Sequence, residues 1–131
     1  MLMPPVSRYM TLRPSSIEPS DRLSSARQLM RSNDIHHLPV VEGGTLVGIL
    51  SDRDIYPIYP FHDPAVADVM TDRVATAPND TPIDEVIDLM GAKRCGSIVI
   101  LGNGGVEGIF TVTDALRALS DVLRRNVDEP A

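Results

Sequence analysis

The chain has 131 residues, a mass of 14.3 kDa and a net charge of −6 with a pI near 4.9, a size that suits one domain or two very small ones. The acidic balance lacks the basic footprint of nonspecific nucleic-acid binding, and Cys95 as the only cysteine rules out an internal disulfide and fits a reducing cytoplasm. No apolar run reaches the ~20 residues of a membrane span or the h-region of a signal peptide, so a cytoplasmic protein with neither membrane nor nucleic acid as partner is expected.

Taken in chain order, the predicted elements begin after Tyr9-Met10-Thr11 with a short extended piece, Ser16-Ile17. A helix follows whose apolar face is Leu23, Ala26 and Met30, with Leu29 beside it. Two strands, Leu38–Val41 and Leu46–Leu50, flank Glu42-Gly43-Gly44-Thr45, a hairpin signal. GILSDRD at residues 48–54 then opens a helix that Pro57 and Pro60 keep short. The segment 57–64 is the linker. Beyond Val69-Met70-Thr71 comes a second extended piece, Val74-Ala75-Thr76. Thr81 is placed to cap the next helix, with Pro82 first inside it and Asp84 completing a box-like start. Its face is Ile83, Val86, Ile87 and Met90, and Gly91 is placed to end it. Strands Ser97–Leu101 and Val106–Phe110 flank Gly102-Asn103-Gly104-Gly105, and GIFTVTD at residues 108–114 starts a long helix striped by Val112, Leu116, Leu119 and Leu123.

The chain is thus an internal repeat with an offset of 60, since Gly48 maps onto Gly108 and Tyr9-Met10-Thr11 onto Val69-Met70-Thr71. Each half reads β-α-β-β-α over about 55 residues, too few to bury an adequate core alone. The two halves are therefore expected to pack their sheets into one core.

The tandem order of MT, helix, HHLPVV, hairpin and GILSDRD, then VMT, helix, GSIVI, hairpin and GIFTVTD, resembles a pair of cystathionine β-synthase (CBS) domains, a Bateman module. The resemblance implies an α+β fold, an α/β sandwich of two β-α-β-β-α repeats related by pseudo-twofold symmetry, with sheets together and helices outside. Repeat one spans 8–61 and repeat two 62–123 (core 65–123), with terminal extensions at 1–7 and 124–131. No catalytic domain remains outside the pair, so a stand-alone, non-catalytic module is expected. The resemblance also implies clefts for adenosine-containing ligands (AMP, ADP, ATP or S-adenosylmethionine), with no cofactor required. It further implies a homodimer through the helices and regulation of an unidentified protein.

The residues themselves suit a nucleotide. Ser51 and Thr111 stand where a helix starts, where free N–H groups and a hydroxyl favour a phosphate. Asp54 and Asp114, one turn on, offer carboxylates that accept from both hydroxyls of a ribose. Adenine needs an apolar slot, for which Leu38, Pro39 and Val40 are candidates in repeat one and Ile98, Val99 and Ile100 in repeat two. Ile17 and the Ala75-Thr76-Ala77 stretch close the other side. Gly48 and Gly108 keep the strand slim where a ligand approaches. The same Ser/Thr-x-x-Asp pattern is also a capping box. A structural dimerisation module with empty clefts is therefore the alternative.

The halves differ. Arg53 and Thr113 occupy equivalent positions, and Arg53 offers a phosphate its cation. Lys93 and Arg94 precede the repeat-two strand where repeat one has Asn33 and Asp34. By the family resemblance His36 or His37 lines the first cleft, and Gly96 and Ser97 take those places in the second. Adjacent histidines in a strand face opposite ways, and no spacing of three or four convergent ligands appears, so no metal site is expected. The first cleft, around Ser51 and Asp54, is the better equipped for a phosphate.

Overall fold

A computed structural model describes residues 3–128. The expected terminal extensions 1–7 and 124–131 lie partly outside the described residues. In repeat one the elements are β1 (Thr11–Leu12), α1 (Leu23–Asn33), β2 (His37–Glu42), β3 (Thr45–Ser51) and α2 (Asp52–Ile55). In repeat two they are β4 (Thr76–Pro78), α3 (Ile83–Lys93), β5 (Ser97–Gly102), β6 (Gly105–Thr111) and α4 (Val112–Asp128). Single 3-10 turns at Val6–Arg8 and Val66–Asp68 precede the two MT pairs.

Two compact units form, and neither is a contiguous half of the chain. The repeat-two unit takes the leading segment up to Leu12, Ala75–Gly102 and the chain from Glu107 on. The repeat-one unit takes Arg13–Val74 together with Asn103–Val106. Each repeat's MT leader is therefore built into the unit that carries the other repeat's hairpin.

In the repeat-two unit the strand order is β1-β6-β5-β4. β1 runs antiparallel to β6, with Thr11 opposite Ile109 and Leu12 opposite Gly108. β4 runs parallel to β5, with Thr76 beside Val99 and Ala77 beside Ile100. In the repeat-one unit β2 and β3 form the antiparallel hairpin. Single bridges widen it on both sides, Ile17 to Val40 in parallel and Ile49 to Thr71 antiparallel.

The helix ends differ from the sequence expectation. Thr81 does not cap α3: the helix starts at Ile83, with extended Pro82 before it and no side-chain cap. The leader supplies an acceptor, because Ile83 N–H donates to the Pro4 carbonyl (2.9 Å), and Val6 N–H fastens the leader to the Thr81 carbonyl (2.8 Å). α1 is served in the same way, with Leu23 N–H on Pro64 O at 3.1 Å. In addition the linker carboxylate of Asp63 accepts from Ser24 N–H (2.8 Å) and Ser24 Oγ (2.6 Å). Nor does Gly91 end α3, which runs on to Lys93 and closes on Arg94 at φ 51°, as α1 closes on Asp34 at φ 52°.

Buried side chains gather in two clusters, one in each unit. Ile17, Leu23, Ala26, Met30, Leu38, Val40, Leu50, Ile55 and Val66 make the repeat-one cluster. Val6, Tyr9, Met10, Ile83, Val86, Met90, Ile98, Ile100, Phe110 and Ala118 lead the other. Alternation along β2 and β3 explains the choice, since Leu38, Val40 and Leu50 point one way. Two apolar stripes fall short of the expectation. Ile87 is 38% exposed, and the α4 stripe lies outside altogether: Val112, Leu116, Leu119 and Leu123 are each more than half exposed. α4 packs instead through its small residues, Ala118 and the partly buried Ala115.

Candidate ligand-binding sites

Gly48 and Gly108 serve the leaders. A Cβ on Gly48 would stand 2.5 Å from Met70 Sδ and 3.1 Å from the Thr71 carbonyl oxygen. On Gly108 it would stand 2.6 Å from Met10 Sδ and 3.0 Å from Thr11 O. What approaches these glycines is the methionine thioether and the threonine carbonyl of the leader, and not a space left for a ligand. This close approach brings each leader against the strand that ends in Ser51 or Thr111.

In the repeat-one unit His37 is the register partner of Ser51 across the hairpin. With Leu38, Val40 and Leu50 committed to the core, His37, Pro39 and Ser51 share the opposite sheet face. The Asp54 carboxylate turns back to this face. Its Oδ2 accepts from Ser51 N–H at 2.8 Å and from Ser51 Oγ at 3.1 Å. The capping box is made, and among the described residues only Oδ2 of the carboxylate is engaged. His36 lies alongside on the surface, its Nδ1 2.7 Å from Asp52 Oδ2, while Asp52 N–H donates to the His36 carbonyl. Burial pushes the His37 imidazole below its ordinary value, and His36 and Arg53 add to this; Asp52 and Asp54 oppose it. Arg53 is exposed.

The repeat-two unit repeats the box. Thr111 N–H and Oγ1 donate to Asp114 Oδ2 at 3.0 and 3.2 Å. Here the other oxygen is also taken, because Arg117 Nη2 lies 3.3 Å from Asp114 Oδ1. Ser97 is buried, Gly96 half-buried, and Thr76 and Thr113 are exposed. Lys93 and Arg94 are exposed, and the backbone of Arg94 closes α3.

The candidates thus divide. His37, Pro39, Ser51 and Asp54 come together in one unit, and Thr111 and Asp114 in the other. Ile17, Leu38 and Ile98 point into the cores instead. Two participants escaped the sequence reading. Asp52 pairs with His36, and Arg117 lies three residues beyond Asp114 on one helix face, a spacing that is visible in the sequence. Among the described residues no three His, Cys, Asp or Glu converge to hold a metal ion, and no helix is long and apolar enough to cross a membrane.

The chain is a duplicated α/β unit, each copy ending a hairpin in a hydroxyl held to a carboxylate three residues on. The family model of the CBS domain matches residues 6–58 and again 66–121, and the chain belongs to that family. It is 33% identical over 102 residues to the inosine-5'-monophosphate dehydrogenase of Thermoplasma acidophilum, covering 77% of this chain. The match spans only 21% of the length of that relative. Among solved structures it resembles an uncharacterized conserved protein from Pyrococcus horikoshii, with 33% identity, 91% and 94% of the two chains covered and a TM-score of 0.80. It also resembles the CBS domain pair of protein MJ0100 in complex with 5'-methylthioadenosine and S-adenosyl-L-methionine, at 26% identity, 91% and 98% coverage and a TM-score of 0.81.

Proposed function

We propose that the protein is a non-catalytic sensor that binds adenosine-containing ligands at its two hydroxyl–carboxylate sites and passes its ligand state to a partner protein. The observation that carries the reading is the Asp54 carboxylate. One oxygen is fixed by Ser51, and the other is left to a ligand beside half-buried His37. Such a held carboxylate accepts the hydroxyls of a ribose without first paying side-chain entropy. The MJ0100 pair binds ligands that share the adenosine group and lack a phosphate, which supports ribose and base as the common element. Arg53 would extend the preference to AMP, ADP or ATP.

The same reading takes the exposed stripe Val112, Leu116, Leu119 and Leu123 as the surface on which a second copy docks, making a homodimer through the helices. Four large apolar side chains exposed on one face of the helix fit another copy of the same stripe. Ligand would shift the arrangement only as far as it binds one state more tightly than another.

Calorimetric titration with AMP, ADP, ATP and S-adenosylmethionine tests the reading, repeated on Asp54→Ala. Loss of the heat of one site in the variant is the expected result. No heat and no thermal stabilisation with any of the four would sink it.

A further inference from the structure

We infer that Arg117 is a built-in competitor for ribose at the repeat-two site, so that the two sites fill in order, repeat one first. The inference rests on the adenosine reading above.

The two carboxylates start from the same geometry and end differently. Asp54 and Asp114 each give Oδ2 to the backbone N–H and hydroxyl of the residue three before. Among the described residues no donor meets Asp54 Oδ1. The residue three beyond it is Pro57, whose side chain cannot donate. The residue three beyond Asp114 is Arg117, and it reaches back to Oδ1 at 3.3 Å.

That guanidinium is not loosely placed. The same Nη2 donates to the Tyr9 carbonyl at 2.6 Å, so one nitrogen bridges the leader and the helix. Tyr9 is itself held, buried to 5% exposure with its hydroxyl donating to Asp121 Oδ2 at 2.9 Å. The Asp114 side chain is only 8% exposed. Its oxygens are therefore both used and largely covered. A ribose needs two acceptor positions for its two hydroxyl hydrogens. At Asp54 one oxygen is available without rearrangement. At Asp114 the ligand must first displace a charge-assisted hydrogen bond, which costs roughly tenfold in affinity once the 58% exposure of Arg117 is allowed for.

The test is calorimetry on the full chain with AMP and, separately, S-adenosylmethionine. Wild type should show one stronger site that disappears in Asp54→Ala and one about tenfold weaker that disappears in Asp114→Ala. Arg117→Met keeps the aliphatic stem and removes the donor, and Arg117→Gln is a second neutral variant if the first melts early. Either should tighten the weaker site until the two match. The gain should vanish when Asp114→Ala is added, a dependence that a merely structural role would not produce. Binding in wild type that ignores both Arg117 variants, or that weakens at the Asp114 site in them, overturns this inference and leaves the adenosine reading standing. No binding in any variant overturns that reading and this inference with it.

Discussion

Replacing Gly48 by alanine should destabilise the protein without touching its ligand. The new Cβ would lie 2.5 Å from Met70 Sδ, 3.0 Å from Met70 Cγ and 3.1 Å from the Thr71 carbonyl oxygen. Ordinary carbon contacts begin near ~3.5 Å, so the sulfur must move by about an ångström. The thioether can swing aside; the carbonyl cannot, because Thr71 exchanges two hydrogen bonds with Ile49, at 2.9 and 3.0 Å. Overpacking of this kind costs ~1–3 kcal/mol, and weakening one of the paired hydrogen bonds falls within that range. Taking ~2 kcal/mol, a domain of this size should lose roughly 8 °C in Tm. Thermal melts by circular dichroism, with urea titration for the free energy, measure this. Gly48→Ala combined with Met70→Ala should be less destabilised than the sum of the two single changes, by roughly 1 kcal/mol. Ligand affinity of the folded variant should match wild type. An unchanged Tm, or strict additivity in the cycle, would refute the account of Gly48 as the seat of the leader. Lost affinity at unchanged stability would return that glycine to the ligand.

Gly91→Ala is the opposite case: it lies within α3 with nothing within 4 Å of the added Cβ, so a melt should show a gain of ~0.5–1 kcal/mol. The lowered His37 value means that the unfolded chain takes up the proton more readily. Stability should hold above pH ~6.5 and fall as the pH drops below it towards the folded value, and His37→Gln should flatten that part of the profile. Asp63 is held below the ordinary carboxylate range, chiefly by its hydrogen bonds to Ser24. Its stabilisation should be present above pH ~4 and vanish as the pH falls through the folded value, so Asp63→Asn should lower the urea midpoint at pH 7 and leave it unchanged in strong acid. Leu119→Glu should halve the mass seen by light scattering in solution while altering the stability of the single chain by no more than ~0.5 kcal/mol, because Leu119 is 51% exposed. A mass unchanged from wild type would remove α4 as the docking surface.

Period and offset carried most of the architecture. The faces Leu23-Ala26-Met30 and Ile83-Val86-Met90 were legible because helical spacing is a local property. The hairpins agreed with their glycine-rich turns to within about two residues, the usual uncertainty of element ends. What spacing could not say is which side of an amphipathic helix meets protein. The leucines of α4 form a stripe, yet the buried positions are alanines beside a carboxylate, and only the packing partner distinguishes the two. Thr81 failed as a cap for a related reason. Its helix start finds an acceptor in Pro4, more than seventy residues earlier in the chain, and a capping motif reads only its neighbours. At the candidate sites the Ser/Thr–Asp boxes were visible as a repeated motif. The bond from Arg117 to Tyr9 was not, because it joins residues more than a hundred positions apart.

The exchange of leaders also sets an order of events at the ribosome. Thr11 and Leu12 have no strand to join until Gly108 and Ile109 have been made, nearly a hundred residues later. The repeat-one unit can close its hairpin, its α1 cap and its Thr71 bridge well before that point. The bonds within the repeat-one unit should therefore form before Thr11 and Leu12 find their strand.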